Sequence, residues 1–286
     1  MKLFSISLLF GFFVITNAKA GDEHFPIGAR QAGMGSSGVA FPDLWSVTHN
    51  PAGLTLLTKP TFGLFYENRF ALKELGLKAG AFAYPTSSGV FAIDLMQFGY
   101  SKYNESRVGL AFAKSIGKRF SLGIKFDYLN TYFAEEYGNK GTAIAEIGFL
   151  AQPANHFYIG GHIYNLSRSK IAEYNDERVP TIITFGIAYE FSEKVLSTIE
   201  VEKDIEYKPI YKVGVEYKFM ENLFIRAGVT SNPNQMSLGI GYAFKRIKAD
   251  ISFSSHQILG ISPHIGFSYE FGNTTSKKLA NWILII

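Results

Sequence analysis

The sequence predicts a transmembrane antiparallel β-barrel of about fourteen strands, and three observations carry that expectation. Aromatic side chains make up 15% of the 286 residues, with 26 Phe and 16 Tyr. Beyond residue 20, no segment approaches the roughly 18 consecutive apolar residues of a spanning helix. Short segments instead alternate large apolar residues with small or polar ones, separated by turn-forming residues. A closed barrel is the other structure that satisfies its backbone hydrogen bonds in lipid. Its alternation hides the membrane signal from any hydropathy window.

The first twenty residues stand apart. Lys2 gives a positive start, Leu3 to Thr16 are almost wholly apolar, and Ala18-Lys19-Ala20 has the spacing of a cleavage site. Residues 1–20 therefore read as an export leader, too short for a spanning helix. No Cys follows, which excludes a lipoprotein. Loss of Lys2 and Lys19 lowers the formal charge from +4 to +2, and no basic block remains to attract nucleic acid. A chain without Cys builds neither a disulfide framework nor a thiolate metal site.

Four segments show the alternation cleanly. Phe185, Ile187, Tyr189 and Phe191 oppose Thr184, Gly186, Ala188 and Glu190. Tyr211, Val213, Val215, Tyr217 and Phe219 oppose Lys212, Gly214, Glu216 and Lys218. Met236, Leu238, Ile240, Tyr242 and Phe244 oppose Ser237, Gly239, Gly241 and Ala243. Ile265, Phe267, Tyr269 and Phe271 oppose Gly266, Ser268 and Glu270. One face suits lipid and the other is small or charged. A secreted sandwich would bury the large face against a second sheet.

The expected strands are 60–69, 74–84, 89–98, 105–116, 119–132, 142–151, 156–165, 180–191, 194–202, 209–219, 222–230, 235–244, 248–256 and 261–271. The even count and roughly 15 residues per strand and turn suit strands that need about 9–11 residues to cross. Even-numbered strands end in tight connections such as Gly117-Lys118 and Ser192-Glu193. Odd-numbered ones end in longer stretches, notably Phe133–Gly141 and Leu166–Val179. Short periplasmic turns and longer external loops are the expected asymmetry. Phe82-Ala83-Tyr84, Tyr189-Glu190-Phe191, Tyr217-Lys218-Phe219, Tyr242-Ala243-Phe244 and Tyr269-Glu270-Phe271 repeat at the short-turn end, as an interfacial girdle should. Residues 272–286, ending Trp282-Ile283-Leu284-Ile285-Ile286, do not fit a barrel that ends on its last aromatic. They read as a short periplasmic tail or an amphipathic segment lying on the membrane, with a misplaced final strand as the alternative.

Residues 21–59 differ from the strands that follow, being Gly-rich and weakly periodic. Gly28-Ala29-Arg30-Gln31-Ala32-Gly33-Met34-Gly35 leads into Ser36-Ser37-Gly38-Val39-Ala40-Phe41, then Asp43-Leu44-Trp45-Ser46-Val47 and His49-Asn50-Pro51-Ala52-Gly53-Leu54. This order resembles the N-terminal signature of PorV/PorQ-type outer-membrane proteins. It is similar, more loosely, to the long-chain fatty-acid transporter (FadL) family, whose N-terminal hatch carries an Asn-Pro-Ala motif matched here by Asn50, Pro51 and Ala52. The resemblance spans residues 28–65. It implies a fourteen-stranded outer-membrane barrel, 60–271, with residues 21–59 folded into the lumen as a plug.

The residues agree with such an insert. Glycines permit tight turns and close approach to a wall, and Asn50-Pro51 favours an extended residue followed by a turn. The inward face carries Lys125, Asp127, Glu146, Glu190, Glu200, Glu202, Lys212, Glu216, Arg226 and Glu270 among small residues. Arg30, buried among them, needs a carboxylate partner.

Other chemistries fare poorly. Gly33-Met34-Gly35-Ser36-Ser37-Gly38 matches G-x-G-x-x-G, but Pro26 and Pro42 flank it and no βαβ unit surrounds it. The six histidines show no metal-ligand spacing, and no G-x-S-x-G elbow is present. His162 on the inward face reads as a hydrogen-bonded lumen residue, and Glu200 with Glu202 as lumen electrostatics rather than an acid/base pair. Neither a cofactor nor a catalytic residue is expected. Two functions remain open. In one, the plug gates a hydrophobic small molecule, as the fatty-acid transporter resemblance implies. In the other, the barrel is a scaffold that binds a protein partner through external loops such as Leu166–Val179, as PorV/PorQ-type proteins do in type IX secretion. Outer-membrane lipid surrounds the barrel in both.

Overall fold

The computed structural model describes residues 25–134, 138–170 and 178–272. The expected leader, residues 1–20, and all but the first residue of the expected 272–286 tail lie outside them. Fourteen strands follow an irregular N-terminal stretch: β1 Thr61–Asn68, β2 Gly76–Pro85, β3 Val90–Gly99, β4 Tyr103–Ser115, β5 Phe120–Phe133, β6 Gly138–Ala154 and β7 Phe157–Tyr164. After the longest connection come β8 Ile182–Ser192, β9 Val195–Asp204, β10 Ile210–Met220, β11 Leu223–Thr230, β12 Gln235–Phe244, β13 Ile247–His256 and β14 Gly260–Glu270. Every strand pairs antiparallel with its sequence neighbours, and β1 closes on β14 from Thr61↔Glu270 to Glu67↔His264. Closure leaves no unpaired edge, so the wall meets the requirement that lipid places on backbone polar groups.

Parity sets which residues face lipid. On β12, Met236, Leu238, Ile240, Tyr242 and Phe244 are 48–72% exposed, while Ser237, Gly239 and Gly241 between them are buried. The same alternation runs through β8, β10 and β14. At the short-turn end, Tyr189 meets Phe191 edge-on at 4.8 Å and Tyr269 meets Phe271 at 4.9 Å. Phe82 lies 6.4 Å from Tyr84 and 6.2 Å from Phe271 across the closing seam. Amphipathic rings of this kind suit the boundary between lipid and water.

One expected connection is corrected. Phe133–Gly141 is not a long loop: β5 continues to Phe133 and β6 starts at Gly138, with Phe133 paired to Gly138. The alternation Tyr128, Asn130, Tyr132 against Leu129, Thr131, Phe133 extends the pair beyond the apolar band, so Asn139, Lys140 and Gly141 are paired strand residues. At the other end, β6 runs through Gln152 and Pro153 to Ala154, accommodated by a register shift between Ala151 and Ala154. In the Leu166–Val179 connection, Asn165 Nδ2 donates to the Val179 carbonyl at 2.8 Å. That bond folds Val179 inward against Leu129, Ile144, Tyr164 and Ile182.

A charge placed on the lipid face at mid-strand has no lumen to turn towards. Ile240→Arg is expected to lower folding stability by about 2–4 kcal/mol, measured by reversible denaturant titration in vesicles. A change below about 0.5 kcal/mol would contradict the assignment of that face.

Candidate functional site: the lumenal segment and its wall

Residues 25–57 are almost entirely buried and lie inside the barrel. A short helix α1, Ala29–Gly33, packs on β11 to β14, and a 3-10 helix, Pro51–Leu56, packs on β4, β5 and β6. Between them α2, Ser46–His49, touches β3. The segment thus reaches opposite sides of the lumen.

Arg30 projects from α1 into an ion-pair chain. Its Nε and Nη2 donate to the two carboxylate oxygens of Glu216 at 2.9 and 2.7 Å, and its Nη1 lies 3.7 Å from Asp43. Glu216 also accepts from Arg226 at 2.5 Å, and Arg226 reaches Asp250 at 2.6 Å. The guanidinium stacks over Phe41, 4.7 Å from its centroid. Burial by itself disfavours the Arg30 charge, but Glu216 and Asp43 outweigh it and raise its pKa. A two-pronged pair of this geometry holds position as well as charge.

The next turn is held through its backbone. Gly38 and Val39 donate their N–H groups to one oxygen of Glu200, at 2.8 and 2.9 Å. Lys212 bridges Glu200 at 3.0 Å, Glu202 at 2.7 Å and the Ser36 carbonyl at 3.2 Å. Gly35 donates to Ser237 and accepts from Thr230, both at 2.9 Å, and Ser252 donates to the Ala29 carbonyl at 2.8 Å. Gly35 has φ +68° with Val213 and Val229 carbonyls close by, a conformation and a clearance that favour glycine. Met34 is buried between Val39 and Ala40, and Gly28 and Gly33 bracket the helix. The stretch with G-x-G-x-x-G spacing therefore directs these N–H groups at wall side chains.

Asn50 makes the Asn-Pro-Ala motif a joint between segment and wall. Its Nδ2 donates to the Val39 carbonyl at 2.7 Å and to the Phe149 carbonyl of β6 at 2.8 Å. Its Oδ1 accepts from Ala52 N at 3.2 Å, capping the 3-10 helix that Pro51 opens. Gly123 and Gly148 face this joint, and a Cβ on either would strike Asn50, Pro51 or Ala52. Gly53 lies against Ser46. His49 Nε2 donates to the Ile27 carbonyl at 2.8 Å.

The opposite contact is apolar. Phe25, Ile27, Leu44, Trp45, Val47, Leu54 and Leu57 pack on an inward face made of Ala79, Ala81 and Ala83 of β2, Ala92 and Met96 of β3, and Ala111 and Ala113 of β4. Phe25 lies 4.5 Å from Phe98, and Trp45 lies 6.0 Å from Phe65. Small wall side chains make room for large ones on the segment. At the short-turn end, a small open recess lies between Arg30, Phe41 and Pro42 of the segment and Tyr158, Leu196 and Phe224 of the wall.

Of the ten expected lumen charges, Lys125, Asp127, Glu146, Glu200, Lys212, Glu216 and Arg226 are buried in the lumen. Glu202 is half-buried beside Lys212. Glu190 and Glu270 also have inward parity and lie near the short-turn end: Glu190 pairs with exposed His156 at 2.8 Å, and Glu270 with Lys59 and Lys248 at 3.8 and 3.3 Å. Sequence reasoning missed Glu67, Asp94 and Arg107, all buried. The signal was present: Asp94 alternates with Ile93 and Leu95, and Arg107 with Val108.

No family model matches this sequence, and no curated protein does. Solved structures match the fold. The toluene transporter TbuX of Ralstonia pickettii superposes with a TM-score of 0.68 at 13% identity, covering 86% of this chain and 98% of that one. The P. putida toluene transporter TodX gives 0.63 at 11% identity, covering 85% and 98%. A Pseudomonas aeruginosa FadL homologue gives 0.60 at 13% identity, covering 85% and 98%. The protein is a closed fourteen-stranded antiparallel barrel with the fold of these structures.

Two measurements follow from these contacts. Arg30→Ala leaves Glu216 with Arg226 alone, and removing one partner of a buried pair costs about 3–5 kcal/mol. The expected outcome is an intact, heat-modifiable barrel whose residues 25–57 become cleavable by added protease; continued resistance would show that Arg30 does not hold the segment. His49 gives a pH dependence. Burial chiefly lowers its pKa and Lys212 adds to this, against Glu200, Asp43 and the Ile27 carbonyl. An unfolded His titrates near about 6.5, so the folded segment is fully stabilised above that value and loses stability as pH falls below it. Amide-exchange protection of residues 46–50 should drop between about pH 6.5 and pH 5, and the drop should be smaller in His49→Gln. An equal drop in both proteins would assign the effect to another group.

Proposed function

We propose that this protein sits in the outer membrane of a Gram-negative bacterium as a PorV/PorQ-type, FadL-like barrel. In this reading residues 1–20 serve its export and the lumenal segment acts as a plug past which a small hydrophobic molecule is bound or passed. The observation that carries the reading is the apolar seam between Leu44, Trp45, Leu54 and Leu57 and the alanine face of β2 to β4. Elsewhere the segment meets the wall through ion pairs and hydrogen bonds, whose partners would lose water and gain nothing from an apolar guest. Along the seam a hydrocarbon replaces contacts of its own kind, and displacing a packed face costs only what the guest restores. The fold is shared with proteins described as toluene transporters and a monoaromatic hydrocarbon channel, which supports a guest of that chemistry.

The test is uptake of labelled toluene and labelled oleate by a Gram-negative host that lacks its own transporter. Expression of this chain should raise uptake of at least one. Ala81→Trp, which fills the seam from β2, should return it to the level of the empty host at equal amounts of folded barrel. Uptake no higher than in the empty host would overturn the proposal.

A second reading is favoured by a different observation: Glu200, Glu216, Ser237, Ser252, Thr230 and the Phe149 carbonyl pin the segment from six strands. A permanently closed barrel of this kind suits a scaffold that partners other proteins. Native mass spectrometry of the complex extracted in mild detergent separates the two, a stoichiometric protein partner marking the scaffold and lipid-sized adducts the channel.

A further inference from the structure

Six titratable side chains meet in the wall of β3 to β7 and take no part in holding the segment: Asp94, Arg107, Lys125, Asp127, Glu146 and His162, each at most 3% exposed. Register brings them together. Asp94 and Asp127 are both cross-strand partners of Gly109, whose missing side chain leaves the space they share with Lys125. Lys125 is the partner of Glu146, and His162 that of Gly148. The 3-10 helix Pro51–Leu56 packs on the same three strands, β4, β5 and β6. An apolar group formed by Leu129, Ile144, Tyr164, Val179 and Ile182 includes neighbours of the cluster on β5, β6 and β7. Beyond the six, Glu200 and Glu202 of β9 act on His162, and Tyr164 of β7 acts on Arg107.

Three carboxyl groups here share two permanent cations. Lys125 Nζ lies 3.2 Å from Asp94, 2.8 Å from Asp127 and 3.4 Å from Glu146. Arg107 lies 3.4 Å from Asp94 and 3.7 Å from Asp127. Both oxygens of Glu146 are served, one by Lys125 and the other by His162 Nε2 at 2.8 Å. Neither Asp127 oxygen takes a hydrogen bond, and Asp127 shares the Lys125 ammonium with Glu146, at 2.8 and 3.4 Å. Two ionised carboxylates crowded on one cation away from water repel strongly, and one proton shared between them turns that repulsion into a hydrogen bond. The same proton brings the cluster to neutrality. An imidazole with its hydrogen on Nε2 supplies the N–H that Glu146 accepts.

We propose that Asp127 carries a proton and donates it to Glu146, so that the lumen wall contains a buried proton-binding site. Gly123 and Gly148, which receive the Asn50-Pro51-Ala52 joint, lie two residues from Lys125 and Glu146 on the same strands. Loss of the proton therefore leaves an uncompensated negative charge next to that joint, and proton occupancy is linked to how firmly the segment is seated.

The experiment is infrared difference spectroscopy of the detergent-solubilised barrel between neutral and alkaline pH, with heat-modifiable mobility as the check of folding. The folded wild type should show a protonated-carboxyl C=O stretch that shifts in deuterated water and disappears on alkalinisation. Asp127→Asn and Glu146→Gln should each lack it, and His162→Gln should retain it. Absence of the band in the folded wild type overturns the proposal, a result that needs no variant to fold. A band kept in both carboxyl variants, or lost in His162→Gln, also overturns it by placing the proton elsewhere. Trp45 reports the segment once Trp282→Phe removes the other indole. Its emission should change with the infrared transition, and a change that persists in Asp127→Asn would overturn the link to the joint.

Discussion

A backbone surrounded by hydrocarbon has no water with which to pair its N–H and C=O groups, and this constraint organises the whole molecule. It demands that β1 find β14, as the register from Thr61↔Glu270 to Glu67↔His264 achieves. Once the wall closes, the pleat leaves each strand one lipid face and one inward face. Large apolar residues collect outside, and small or ionic ones line a lumen. A lumen lined in this way would be wet and its charges solvated. Here it is occupied by the chain's own N-terminal segment, so the inward charges must find partners in protein.

The occupant meets the wall in two chemically distinct ways. On the side of β9 to β14 the contacts are directional: Glu216 with Arg30, Glu200 with two backbone N–H groups, and hydroxyls of Thr230, Ser237 and Ser252 with the backbone of α1 and Gly35. On the side of β1 to β4 they are non-directional, with alanines against Leu, Val and Trp. Directional contacts fix one position and are lost abruptly when geometry fails. Non-directional ones tolerate sliding and scale with area. The segment is consequently stiff along one flank and compliant along the other.

Period-two alternation is a strong signal because each residue's face is decided by its neighbours, and all fourteen strands were legible from it. Where it failed, the reasons were local. The β5–β6 pair extends past the apolar band, so Asn139 and Lys140 looked like loop residues although they are paired. Asp94 and Arg107 follow the alternation, but apolar inward neighbours such as Met96 and Phe98 masked their face. Glu190 and Glu270 have inward parity and still reach the rim, because parity gives a direction and not a depth. Glycines and the Asn-Pro-Ala order marked the segment as an insert. The identity of Arg30's partner, 186 residues away, depends on the three-dimensional closure of the barrel and has no local signature. The apolar seam was equally hidden, since alanines on β2 to β4 read as ordinary small inward residues.

The pairing of Arg30 and two backbone N–H groups with Glu216 and Glu200 bears on how the barrel would conduct. Those carboxylates belong to the wall, while Arg30 and the N–H groups belong to the insert. Were the insert drawn out, the wall would keep its acids and lose the donors that balance them. Water would enter a bore in which Glu200, Glu202, Glu216 and Asp250 outnumber the wall cations beside them, Lys212 and Arg226. Such a bore would carry an electrical current borne mainly by cations, and single-channel recordings would see it as discrete steps with a preference for potassium over chloride.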